Sequence, residues 1–122
     1  MKYILLCYHE EQTWGRAGKE AHWEAMQEAV RLTHELHARR QYVMASPLGP
    51  VSTATSVRVR DGRPLVTDGP FAETREVLGG FYLIDVDSLD EAIAVAARTP
   101  GERAGTIEIR PLKELEGLPA GA

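Results

Sequence analysis

Two short segments, residues 3–8 (YILLCY) and 81–84 (FYLI), are apolar at every position. Successive side chains of a strand point to opposite faces, so a strand with no polar parity has no face to present to water. Both segments are of strand length and rich in aromatic and branched residues. Polar or glycine punctuation bounds them: His9-Glu10-Glu11 closes the first, and Gly79-Gly80 opens the second. They read as central strands of one sheet, and the rest of the chain has to cover both faces.

Residues 20–40 contain no Gly or Pro and set Trp23, Met26, Val30, Thr33 and Leu36 at spacings of three and four, which predicts a long amphipathic helix. The stretch before it, with Gly15 and Gly18, reads as a polar loop. Residues 42–45 form a short extended segment, stopped by residues 46–50 (SPLGP), whose two prolines lack backbone donors. Residues 54–60 alternate, Asp61-Gly62 is a hairpin-turn dipeptide, and residues 64–67 run back. Beyond the strand at 81–86, Ser88 and Glu91 make a capping box that opens a second, shorter helix ending at Thr99-Pro100. Residues 106–110 alternate as a last strand. One domain, residues 1–112, is followed by an aperiodic tail, 113–122.

This order packs most simply as an α+β, ferredoxin-like fold, an antiparallel sheet with two helices on one face. The helices leave the other face bare. Because the central strands are apolar there too, a homodimer packed sheet on sheet is the economical cover.

A chain of 122 residues buries roughly 65% of its unfolded surface, enough for a core without staples. Fourteen basic against eighteen acidic residues give a net charge of −4, and Arg39-Arg40 is the one adjacent basic pair. No stripe tracks phosphates, which argues against nucleic acid as a partner. Cys7 is the single cysteine and has no second thiol for a disulfide or a metal, which fits a reducing cytoplasm. The opening apolar run is too short for a signal peptide, and no run approaches the roughly 20 residues of a membrane span. No cofactor pattern is present. Gly69, Gly79 and Gly80 precede no helix start at phosphate-binding spacing and read as turn and close-approach glycines.

The most distinctive stretch is residues 66–84, with Asp68-Gly69-Pro70-Phe71 at its centre. That tetrapeptide resembles the signature of the DGPF proteins of the YCII-related family. The strand start Met1-Lys2-Tyr3, residues 54–62, 73–76 and 89–92, and the closing 106–111 match in order as well. The resemblance implies a dimeric α/β-barrel built from ferredoxin-like subunits. For some members it implies an enzyme using a His from the long helix with an Asp. Aligned here, that His position falls near Ala29 and the Gly that follows it near Arg40, so the pair does not carry over. Association of other members with extracytoplasmic-function sigma factors implies an accessory role instead.

Asp68 has two readings: a general base or cation-binding carboxylate at a pocket mouth, or a turn former held to its own backbone. Glu73, Arg75 and Glu76 are either a cluster that binds a small anion or a solvated charged face. His22, one turn before Met26, is a candidate proton carrier, since imidazole changes charge near neutral pH, or else a satisfied boundary residue. His9 ends the first strand, where sheets often place ligand groups. His34 and His37 are three apart without a third ligand, so no metal site is assigned. Trp23 and Tyr82 are core or interface aromatics, or walls of a pocket between helix and sheet. The expectation is a small-molecule-binding or enzymatic protein, with Asp68 and His22 as catalytic candidates. Glu73, Arg75, Glu76, Tyr82 and His9 are the ligand-binding ones. The alternative is a non-catalytic interaction protein, accessory to a sigma factor.

Overall fold

Alternation and helical period convert into ten short elements in the computed structural model, which describes residues 1–100 and 105–120. In order these are β1 (Lys2–His9), α1 (Gln12–Ala17), α2 (Lys19–Ala38), β2 (Tyr42–Pro47), a 3-10 turn (Val51–Thr53), β3 (Thr55–Arg60), β4 (Arg63–Asp68), β5 (Val77–Asp85), α3 (Leu89–Ala96) and β6 (Gly105–Pro111). The main sheet runs β2-β5-β1-β6, with every neighbouring pair antiparallel. The two doubly apolar runs are therefore its central strands. The architecture is α+β and ferredoxin-like, with both longer helices on one face. The aperiodic tail expected over 113–122 includes residues 121 and 122, which lie outside the described residues.

On the helix-covered face, Tyr3 and Leu5 of β1 meet Tyr82 and Ile84 of β5 under Leu32 and Leu36 of α2 and Ala92, Val95 and Ala96 of α3. Leu5 and Ile84 are fully enclosed, and truncating either to Ala costs about 2–5 kcal/mol. Register assigns the opposite face. Ile4 lies across from Leu83, which pairs with Met44, and Leu6 lies between Phe81 and Glu108. Ile4, Leu6, Tyr8, Phe81 and Leu83 are half-buried among themselves and belong to no helix-packed cluster.

Two expectations need correction. The polar loop before the long helix is a helix of its own, α1, in which Arg16 donates to Gln12 at 2.9 Å one turn back. Gly15 sits inside it, and only Gly18, at φ 96°, breaks the chain between α1 and α2. The buried stripe of α2 also departs from the one expected, with Leu36 alone in common. Ala25, Leu32 and Leu36 are buried, whereas Trp23 is 63% exposed and Val30 about half exposed. Small alanines let the helix approach the sheet, while the larger residues that dominate the periodicity flank the contact.

The β3–β4 hairpin forms a separate two-stranded sheet, turned by Asp61 and Gly62, both at positive φ as a type I′ turn requires. Its root is pinned: Gly69 N donates to Ala54 O at 2.7 Å, Ser56 Oγ donates to Gly69 O at 2.7 Å, and Glu11 accepts from Val51 N at 2.7 Å. α3 opens at the expected cap. Glu91 N donates to Ser88 Oγ at 3.2 Å, and the Glu91 carboxylate reaches back one residue past the cap, accepting from Asp87 N at 2.9 Å. No helix among the described residues is long and apolar enough to cross a membrane.

Candidate functional site

Between α2 and the sheet lies a cavity of about 300 Å³. The flank of α2 lines it with Met26, Ala29, Val30 and Thr33, β1 with Cys7 and His9, and β2 with Tyr42 and residues 45–47. Gly79, Gly80, Phe81 and Tyr82 of β5 form the floor, and Pro100 closes one side. The space exists because Ala29, Ala45 and Gly80 are small where neighbouring layers interdigitate larger side chains. No Lys, Arg, Asp or Glu is among the described lining residues.

The polar groups in this apolar setting are few and mostly donors. Tyr82 is 8% exposed, and its hydroxyl makes no hydrogen bond among the described residues. Tyr82 is one of the residues that line the cavity. Burial pushes its phenol up to about 12, and the neighbouring Cys7 adds to the effect, so Tyr82 stays a neutral donor. Burial likewise pushes the Cys7 thiol up to about 11, which keeps it protonated and unreactive at neutral pH. Tyr42 Oη accepts from Ala45 N at 3.2 Å, which leaves its own proton free to donate. Thr33 and Ser46 donate their hydroxyl protons to Val30 O at 2.6 Å and Pro47 O at 2.8 Å, so toward a ligand they act as acceptors. His9, half-buried, is the one imidazole among the described lining residues.

The structure brings His9 and Tyr82 together on the cavity wall and spreads the other sequence candidates elsewhere. His22 is exposed in the first turn of α2, outside the lining. Asp68 is exposed at the end of β4, opposite Thr55, and its turn is held by Ser56 and the backbone rather than by its own carboxylate. Arg75 donates to Glu10 at 2.5 Å and holds that carboxyl below the usual carboxylate range. Glu73 is exposed and Glu76 half-buried, with the Glu76 carbonyl accepting from Thr74 at 2.6 Å. Among the described residues no three His, Cys, Asp or Glu side chains are placed to share a metal. Cys7 and Tyr42 join the site without having been singled out for it. The alternation of β1 puts Cys7 on the same face as His9, whereas nothing in the sequence points to Tyr42.

A model of the YCII-related domain matches residues 1–116. The chain belongs to the YCII-related family. An uncharacterized protein of Rhizobium meliloti (strain 1021) is 41% identical to this YCII-related chain over 121 residues, covering 92% of each. Among solved structures, the 5-chloro-2-hydroxyhydroquinone dehydrochlorinase of Burkholderia phenoliruptrix AC1100, in complex with 2,5-dihydroxybenzoquinone, shares the fold. Its TM-score is 0.54 at 11% identity, over 95% of this chain and 97% of that one. Ala29, near which the sequence resemblance puts a helix His in some members, lines the cavity. His9 faces the same space from the strand on the other side.

Proposed function

We propose that this YCII-related protein binds a small, neutral, planar carbonyl or phenolic compound in the cavity between α2 and the sheet and moves a proton on it through His9. The observation that carries the reading is Tyr82, a nine-tenths buried residue on the wall of an apolar space, whose hydroxyl has no hydrogen-bond partner among the described residues. An acceptor on a ligand would take the place of water at that donor. Among the described lining residues there is no fixed cation, and against that wall a carboxylate or phosphate would lose its hydration without compensation, which favours an uncharged acceptor.

A carbonyl oxygen at Tyr82, with Tyr42 as a second donor, would be polarised toward oxygen. A proton leaving the adjacent carbon or hydroxyl passes to the unprotonated imidazole of His9, and its bonding pair moves into the ligand to leave an oxyanion held by the phenols. His9 then returns the proton at the same or a neighbouring atom. The ligand of the structural neighbour, 2,5-dihydroxybenzoquinone, is of this chemical class.

Assembly belongs to the same reading. The open sheet face, centred on Ile4, Leu6, Phe81 and Leu83, packs against a second copy, with Glu108 and Arg110 beside it on the edge strand β6.

Titration calorimetry with 4-hydroxyacetophenone, against 4-hydroxybenzoate as its anionic counterpart, tests the ligand class. The ketone is expected to bind and the carboxylate not. Tyr82→Phe should weaken the ketone about tenfold while leaving the fold at least as stable, because the hydroxyl has no internal partner to lose. Tighter binding of the carboxylate would overturn the neutral-ligand reading.

A further inference from the structure

His9 reaches the cavity through an irregularity in β5. Cys7 is opposite Gly80 and Tyr8 is opposite Leu78, so Gly79 is an extra residue, a β-bulge in the floor of the site. The bulge is fixed from its other side, where Leu48 N donates to Gly79 O at 2.9 Å. A side chain at position 79 has one obstacle. A Cβ there would fall on the imidazole of His9, onto Cε1 and 2.5 Å from Nδ1. Gly79 is not in the left-handed region that demands glycine, so backbone conformation does not explain the residue; space does. Gly105 makes room for the β1 backbone itself from the β6 side, where a Cβ would run into Tyr8 O and lie 2.9 Å from His9 Cα.

We infer that Gly79 is the positioning residue of His9: the bulge removes one side chain so that the imidazole lies flat in the gap and is aimed at the ligand space. Seating a ring in a gap restricts its rotamers and presents one nitrogen to the cavity, as proton transfer requires. The seat rests on the strand geometry alone; its use in chemistry rests on the reading of the cavity given above.

The test is a cycle of Gly79→Ala, His9→Ala and the double variant, with melting curves and the imidazole Cε1–H resonances followed by NMR. Gly79→Ala should lower the melting temperature by roughly 5 °C in the parent, from overpacking, and by little or nothing in the His9→Ala background. It should shift the His9 resonance while those of His22, His34 and His37 stay in place, and should raise the carbethoxylation rate of His9 severalfold. An equal cost in both backgrounds, or an unmoved His9 resonance in a folded Gly79→Ala protein, refutes the seat. If Gly79→Ala alone fails to fold, a folded double variant still supports it and an unfolded one overturns it. The 4-hydroxyacetophenone titration separates the two levels: a supported seat with no ketone binding leaves the positioning intact and removes the proposed ligand.

Discussion

Cys7 and Tyr82 stand on adjacent strands of the cavity wall, and burial moves both protons in one direction. Each acid holds its proton more tightly in the fold than the ordinary 9.0 and 10.0, reaching about 11 and about 12. The unfolded chain therefore sheds protons that the folded one keeps. Stability from this source is intact below about pH 9 and is lost as the pH rises through 11 and 12. A consequence at neutral pH is that Cys7 is a poor nucleophile. Its alkylation by iodoacetamide at pH 8 should run roughly 100-fold slower in the folded protein than in urea, in proportion to thiolate. Equal rates would mean that the thiol is neither buried nor raised. At this scale the sequence was informative where alternation governs, since the parity of β1 leads from the buried Leu5 to Cys7 and His9. It was uninformative for Asp68, because a carboxylate beside Gly-Pro has the same local signature whether or not it faces a pocket.

Among the elements, the helices show why hydrophobic period is a partial guide. Trp23, Met26, Val30 and Thr33 are correctly spaced for one face of α2, but that face borders the cavity. The core contact is made by Leu32 and Leu36, with Ala29 packed beside them. Alanine is too weakly apolar to mark the inner face in a sequence, yet it lets the helix backbone approach the strands. Capping chemistry was largely legible in α3: Ser88 satisfies the donor that its spacing assigns, while the Glu91 carboxylate takes the N–H of Asp87, one residue before the cap. Ser88→Ala is expected to cost about 1 kcal/mol and to lower the melting temperature by roughly 4 °C. A melt indistinguishable from the parent would show that the cap contributes nothing measurable. The Asp61-Gly62 hairpin was equally legible, but its separation from the main sheet was not, because strand pairing between elements far apart in the chain leaves no local mark.

For the whole molecule, the ferredoxin-like plan followed from two runs too apolar to sit anywhere but the centre of a sheet, and those runs also leave one face uncovered. The proposed dimer makes a definite mass prediction. Light scattering at micromolar concentration should give about twice the 13.5 kDa chain mass, and Leu83→Asp, which puts a charge in the middle of the open face, should give the single-chain mass while remaining folded. A parent protein that scatters as a monomer contradicts the assembly and leaves the cavity untouched. The cavity itself is the central claim, and the methionines report on it directly. Met26 lines the cavity, Met44 lies on the open sheet face, and Met1 is at the exposed start of the chain. In protein labelled with carbon-13 at the methionine methyls and titrated with 4-hydroxyacetophenone, the Met26 resonance should move and saturate while Met1 and Met44 stay in place, and Tyr82→Phe should shift the midpoint about tenfold upward. A Met26 resonance that stays fixed across the titration, or moves no more than that of Met44, would contradict the assignment of this cavity as the ligand site.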